Sequence, residues 1–468
     1  MTSAPRAEQA EVEQPARTAA ARAEKVTYLS LLLFYLPLGF SGLMMTLDLP
    51  VVNAVLNRFP NPDTSVAALR VAFSMALVYE ASHISIIDVS TALTADRRVF
   101  RLLGRFYAVM AVVLLVGASL AAFSPAYDAI VRGVMNISPE VAEAARPAFW
   151  GFLLWPIPIG WRRLCQGALI RHGHPKPVGA GGVVRLISLV AALAFFSWLG
   201  SSVVPIEPAA IAVLAMLVSV TAEALAVQGW TLSVLRSMPE VDHDAPPLTT
   251  GDIWRFFRPL ALTAIMATFT QPLLTASIAS ASVAWASPNA QVVDVAAYAL
   301  AWSVAILAFG PTLSMTQASI TWHKNHDPVV RQRGRRLILG LGVGLAVFIA
   351  LVAFSPIGPW LFTTVLEGQP ATSEVALQTL RMFVPMPILH SASFMLRGRM
   401  IAMGHPGAVR RSQMIDIAAL FLLVLLATGP LTPLLQGAPA APFAAIAYNL
   451  MLAVDIVVLS FGLRPLRR

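Results

Sequence analysis

Apolar stretches alternate with short polar segments along nearly the whole chain. Residues 28–50, 65–94, 100–123, 148–170, 178–199, 208–235, 256–282, 292–321, 337–355, 380–402, 408–430 and 440–462 are such stretches. Each holds the roughly 20 apolar residues needed to cross about 30 Å of hydrocarbon. Lipid offers no partner for backbone N–H and C=O groups, so each is predicted to be a helix. The pattern predicts an all-α polytopic membrane protein with 12 transmembrane spans. One span departs from the pattern from inside: the run ALVYEASHISIID, residues 76–88, carries Glu80, His83 and Asp88.

The polar segments differ in charge. Arg97, Arg98, Arg101 and Arg105 follow span 2; Arg171 and Lys176 follow span 4. Lys324, Arg331, Arg333, Arg335 and Arg336 follow span 8, Arg410 and Arg411 follow span 10, and Arg464, Arg467 and Arg468 follow span 12. The alternate loops hold only Arg58, Arg132 and Arg146. Basic residues stay on the cytoplasmic side, which predicts a multi-pass inner-membrane protein with both termini inside. The loop 124–146 then faces outward, as a solvated connector or a short surface helix. Residues 1–27 are polar, Ala-rich and balanced in charge, which reads as a flexible cytoplasmic tail and not as a signal peptide.

Composition agrees with the pattern. The chain is 57% hydrophobic and 12% charged, with mean hydropathy +0.71, more apolar sequence than a soluble interior can hold. Its net charge of +9 is split between spans and not gathered on one surface, which excludes a nucleic-acid partner. The single Cys165 excludes a disulfide framework and a cysteine metal site.

The chain also contains itself twice. Gly173-His174-Pro175 matches Gly404-His405-Pro406 at an offset of 231, and the same offset maps Pro156 onto Pro387 and Gly167 onto Gly398. At an offset of 222, Pro37-Leu38 and Pro50 match Pro259-Leu260 and Pro272. These matches pair span 1 with 7 and span 4 with 10. Six is even, so two six-span lobes related by an axis along the membrane normal are predicted, a transporter architecture. The lobes are placed at 28–236 and 253–464, joined by the polar, Pro-rich cytoplasmic linker 237–252. Pro37, Pro50, Pro156, Pro259, Pro272 and Pro387 are candidate kinks.

Ionisable groups at bilayer depth are functional candidates, because each costs at least ~3 kcal/mol there. Glu80 and His83, three apart, share a helix face. They are read as lining the cavity between the lobes, as a pair able to take up a proton on one side and release it on the other. The competing reading is a static packing bond. Asp88 points elsewhere and is expected to pair with a basic residue near the inner surface. Asp48 and Asn53 of span 1 join the pathway candidates. Arg162, Arg163 and Arg397 are possible basic cavity residues, with Arg162–Glu223 alternatively a structural bridge. Asp416 and Asp455 are expected to snorkel or to pair with Arg. Spans 7 and 8 carry no charge at mid-depth and offer Thr263, Thr268, Thr270, Gln271, Thr275, Ser303, Thr312, Ser314 and Gln317 as hydrogen-bonding wall residues. One Glu-x-x-His is too few for a di-metal bundle, so no metal or cofactor is expected. A proton or sodium gradient is the expected drive.

The chain resembles the progressive ankylosis protein family, within the multidrug/oligosaccharidyl-lipid/polysaccharide (MOP) flippase superfamily that includes the MATE exporters. The residues that carry the likeness are Pro37-Leu38-Gly39 and Asn53, then Ala148-Phe149, Pro156, Gly167 and Val178-Gly179. They continue with Pro259-Leu260-Ala261-Leu262 and Pro272, then Leu380-Arg381, Phe383, Pro387 and Gly398. The resemblance implies a V-shaped pair of bundles with spans 1, 2, 7 and 8 at the cavity. It also implies export of small anions such as pyrophosphate, ATP or citrate. It would place arginines between the two prolines of span 7, where this chain has Thr268 and Gln271. That departure bears on the substrate and not on the fold.

Other readings are a multidrug/cation antiporter, a lipid-linked sugar flippase and a major-facilitator transporter. The last rests on LTADRRVFRLLGRF after span 2, which lacks that family's glycine-led opening. A membrane acyltransferase would use His172 and His174, but no acid stands beside them. No phosphate-binding loop appears, so direct ATP drive is not expected. The expected partners are the bilayer, a small-molecule substrate and a coupling ion, and the chain is read as a monomer and not an enzyme.

Overall fold

The computed structural model describes residues 27–56, 58–59, 62–134, 139–202, 206–241, 247–285, 288–325, 327–366 and 369–462. Most of the predicted tail, residues 242–246 of the linker, and Arg464, Arg467 and Arg468 lie outside them, as do the side chains of Gln271 and Pro272. Among the described residues the fold is all-helical, a twelve-span membrane bundle in two lobes. Ten of its passes are long and apolar enough to cross a membrane without regard to their breaks. The other two, spans 4 and 10, are each split into two shorter helices, Pro139–Phe152 with Pro156–Arg171 and Pro370–Met382 with Met386–Ala402.

Both splits precede a repeated proline. Proline removes one N–H and clashes with the carbonyl four residues back. At Pro156 the released carbonyls find hydroxyls: Tyr79 donates to Phe152 and, at 3.0 Å, to Leu153, while Tyr107 donates to Pro156 at 3.2 Å and to Ile157. At Pro387 the amide of Asn449 donates to the Met382 carbonyl at 2.7 Å. Pro37 and Pro50 instead lie inside one continuous helix, Tyr28–Leu56, and Pro259 lies inside Thr250–Thr268. Span 7 breaks later, at Phe269, before the helix Thr270–Trp285 that contains Pro272. Spans 2 and 8 also break, at Ser85 and at Leu313-Ser314, which the sequence reading did not anticipate.

The repeat is built into the backbone. Gly173 and Gly404 take φ of 78° and 79°, the left-handed conformation that ends a helix. Behind each, the following histidine N–H reaches back to close the turn: His174 to Leu169 at 2.8 Å and His405 to Met400 at 2.9 Å. Gly167 and Gly398 are needed for close approach. A Cβ there would fall 2.5 Å from Ser90 Cβ and 2.6 Å from Ser319 Cβ respectively. Those two serines bond the equivalent carbonyls of Leu164 and Met395, at 2.7 and 2.8 Å. The structure adds a match at the same offset. Phe123-Ser124-Pro125 and Phe354-Ser355-Pro356 each lead through a short helical turn into a π-helical turn, Ala129–Val134 and Leu361–Val365. The loop 124–146 is thus largely helical where described, pinned by Arg146 to Asp128 at 2.9 Å.

Buried apolar side chains form three cores among the described residues. One runs from Val52 to Val220 within the first lobe, and one from Leu274 to Leu452 within the second. The third, from Leu31 to Leu459, takes residues of both lobes and lies at the end with the basic loops. The lobes are therefore joined at that end and packed separately at the other. Cross-lobe polar bonds lie at the joined end too. Tyr35 donates to the Pro311 carbonyl at 2.7 Å, Ser314 to that of Leu38 at 2.8 Å, and the Lys324 ammonium to that of Ala92.

Candidate functional site

Between the lobes lies a cavity of about 200 Å³. Spans 1, 2, 4 and 5 wall it on one side, and spans 7, 8, 10 and 11 on the other. Its polar wall includes Asp88, Arg163 and Gln166 from the first lobe, and Thr263, Ser314, Gln317 and Arg397 from the second. Gln317 donates to Asp88 at 2.7 Å, closing a hydrogen bond across the cavity between the lobes. This bond exists because span 8 breaks at Ser314 and span 2 at Ser85, so the inner segment of each span starts a new helical phase.

The structure corrects the placement expected for Glu80 and His83, neither of which lines this cavity. The two do share a face, but it turns into the first lobe and not to the cavity. Glu80 accepts a hydrogen bond from the Trp155 indole at 2.6 Å. His83 is fully buried, edge-on to Tyr107 at 5.7 Å and close against Gly160. Asp88, expected to pair with a basic residue, is instead the acid on the cavity wall. A charge in an apolar run was visible for all three; the change of phase at Ser85 was not.

Arg162 and Arg163 are adjacent and have opposite roles in the packing. Arg162 is 1% exposed and ion-paired with Glu223, which also takes Gln166 at 3.1 Å and lies 3.6 Å from Arg185. Arg185 reaches on to Asp48 and stacks over Trp155 at 5.9 Å. Asp48 is thus in the interior of the first lobe, away from the cavity wall. Arg163 points the other way, onto the cavity. Its guanidinium lies 3.9 Å from the Met45 sulfur and makes no ion pair among the described residues. A guanidinium that borders a cavity and is ion-paired to no carboxylate is prepared for an anionic group.

In the second lobe Arg397 lies on the cavity with its charge shared. It bonds Asp455 at 3.0 Å, Asp416 at 3.2 Å and Gln413 at 3.1 Å. Ser393 and Ser412 donate to Asp455. His390, behind, meets the Tyr448 hydroxyl at 2.9 Å.

The remaining wall candidates are not on this cavity. Thr268 bonds the Ile265 carbonyl of its own helix at 2.7 Å, and Ser303 that of Leu300 at 2.6 Å on an exposed face. Thr275 is exposed, and Asn53 is half-buried with its Oδ1 unpartnered. Thr263, Ser314 and Gln317, offered by the sequence as hydrogen-bonding groups of spans 7 and 8, do line the cavity, while sequence reasoning missed Gln166. Its signal was the spacing from Arg163 on the same helix.

No protein-family model matches this chain, and no curated protein matches it by sequence. Its fold does match solved structures. A MOP superfamily transporter from Pyrococcus furiosus, described by a binding pocket of reverse polarity that suggests a different function, superposes with TM-score 0.72 at 14% identity. The match covers 94% of this chain and 97% of that one. A MATE protein in complex with MaD3S gives TM-score 0.72 at 15% identity, covering 94% of this chain and 97% of that one. An outward-facing multidrug resistance MATE family transporter gives 0.70 at 13%, covering 94% and 97%. At such identities the likeness establishes the fold: two six-helix lobes of the MATE type.

Proposed function

We propose that this protein is a secondary active exporter that carries a small solute between the two lobes by alternating access. The observation that carries the reading is the cavity itself. Both lobes line it, the Asp88–Gln317 and Ser314–Leu38 bonds join its two walls, and a core is shared at one end only. Rocking about the shared end would expose the cavity to either side in turn. A proton or sodium gradient supplies the drive, and the acids buried in the first lobe, Glu80 above all, are the coupling candidates.

The substrate follows from Arg163. A cationic group on the cavity wall that makes no ion pair among the described residues favours a small anion of the pyrophosphate, ATP or citrate kind, as the ankylosis-type resemblance implies. A multidrug/cation antiporter is the second reading, favoured by Asp88. The Pyrococcus furiosus neighbour, with its pocket of reverse polarity, is consistent with wall charge varying on this fold.

Proteoliposomes with imposed pH or Na⁺ gradients, offered the three anions and a cationic dye, test both. Gradient-driven anion flux is expected, falling about tenfold or more in Arg163→Gln, since an unpaired buried charge contact is worth ~2 kcal/mol or more. Dye flux lost in Asp88→Asn, with anions never moved, would transfer the protein to the second reading. Unaltered, still proton-coupled flux in Glu80→Gln would remove the coupling role from that residue. No gradient-driven flux of any probe would sink the exporter reading.

A further inference from the structure

A second pocket, of about 400 Å³, lies at the basic-loop end of the second lobe, where spans 7 and 11 begin. It stands apart from the cavity between the lobes. Four arginines line it: Arg255 and Arg258 from the helix Thr250–Thr268, and Arg410 and Arg411 from the helix Pro406–Thr428. His405 lines it as well, and Asp252 is its one acid. Asp252 is already engaged. It accepts from the Thr249 N–H at 3.0 Å and hydroxyl at 2.6 Å, capping its helix, and lies 3.7 Å from Arg255. Arg258, Arg410 and Arg411 make no ion pair among the described residues, and the Nε of Arg410 is buried with no acceptor.

We infer that this pocket binds a phosphate group, as the headgroup of an anionic phospholipid or as soluble phosphate. Four guanidiniums against one committed carboxylate leave a surplus of positive charge converging from two helices on one hollow. Guanidinium forks match phosphate oxygens in geometry as well as charge. The two helix starts differ in the same sense. Thr250–Thr268 has a complete capping box, while Pro406–Thr428 begins with no side-chain cap. Its uncapped positive end adds to the pocket's field. The hollow is roomy: a Cβ added at Gly404 or Gly407 would meet nothing within 4 Å.

Depth favours a lipid source. Trp254, beside the pocket, is 51% exposed, and aromatic residues of this kind mark the headgroup level. Basic pockets between spans on the cytoplasmic side are suited to anionic headgroups. The positive-inside rule asks only for charge in these loops and does not require four arginines in one hollow. The fold does not require them either. At the repeat offsets the first lobe has Leu33 and Leu36 in place of Arg255 and Arg258, and Gly179 and Ala180 in place of Arg410 and Arg411.

The test is native mass spectrometry of the purified full-length protein in detergent, titrated with phosphatidylglycerol, phosphatidylcholine or inorganic phosphate. Phosphatidylglycerol is expected to bind, and its apparent affinity to fall about fivefold for each arginine removed in Arg258→Gln and in Arg410→Gln/Arg411→Gln. The pair Arg98→Gln/Arg105→Gln, on the first lobe's basic loop, is expected to change nothing. Variant-sensitive binding of inorganic phosphate without phosphatidylglycerol would keep the site and assign it to soluble phosphate. Phosphatidylcholine binding as well as phosphatidylglycerol, unaltered binding in the variants, or equal loss in the control pair would overturn the inference. Because no transport is read, its failure would leave the exporter proposal untouched.

Discussion

Glu223→Ala is expected to destabilise the protein by about 3–5 kcal/mol, the largest single-site effect in the first lobe. Glu223 is 1% exposed and serves three donors. It pairs with Arg162, accepts from Gln166 at 3.1 Å, and lies 3.6 Å from Arg185. Its removal leaves Arg162 with no carboxylate and Arg185 with Asp48 alone. A buried cation without a partner keeps its full desolvation cost and loses what offset it. Glu223→Gln retains hydrogen-bond capacity but no charge and should fall between. The double variant Arg162→Met/Glu223→Leu should recover much of the loss, because both desolvation costs then vanish. Asp252→Ala, which breaks an exposed pair whose Arg255 side chain is 83% accessible, supplies the contrast. Its charge contact lies in solvent, where it is screened and adds little. Thermal unfolding of detergent-purified protein measures all four. If Glu223→Ala unfolds within about 1 kcal/mol of the parent, the cluster is not the structural centre of its lobe.

The same cluster shows what was legible in the sequence. The twelve spans were, because lipid forces every backbone group into a helix and leaves length and apolarity as the only variables. The lobes were, because Gly173 and Gly404, and Gly167 and Gly398, answer to local geometric demands that only glycine meets. The Arg162–Glu223 bridge was, because two opposite charges on neighbouring spans at like depth have few other partners. What each side chain faces was not legible. A helix fixes which residues share a face but not how that face is turned, and lipid-facing and lobe-facing positions are equally apolar. Glu80 and His83 were assigned the right face-sharing and the wrong direction. The breaks at Ser85, Phe269 and Leu313 were hidden for a related reason. At the last of them the freed Pro311 carbonyl takes the hydroxyl of Tyr35, far away in the sequence, and such a partner leaves no local signal.

Gly42→Ala is expected to lower the rate of transport about tenfold while leaving the protein folded, if the lobes move as proposed. A Cβ at Gly42 would fall 2.2 Å from the carbonyl oxygen of Gly310 on span 8, across the seam between the lobes. That neighbour is backbone and has no rotamer to yield. The seam must open there, and the bonds beside it, Ser314 to Leu38 at 2.8 Å and Tyr35 to Pro311 at 2.7 Å, are strained with it. The contact is between the lobes and not within either, so the cost falls first on this arrangement of the lobes and not on their folding. Gly310→Ala is the graded control. Its Cβ would meet the Thr46 methyl at 3.0 Å and the Gly42 carbonyl oxygen at 3.1 Å, contacts that a shift of a few tenths of an ångström relieves. Phe123 and Phe354, each 67% exposed at matching places in the two lobes, accept spin labels after substitution by cysteine. The distance between the labels should shift in Gly42→Ala and hardly in Gly310→Ala, and the transport rates should follow the same order. A Gly42→Ala protein with the parent's label distance and the parent's rate would mean that the seam between spans 1 and 8 is not where the lobes bear on each other.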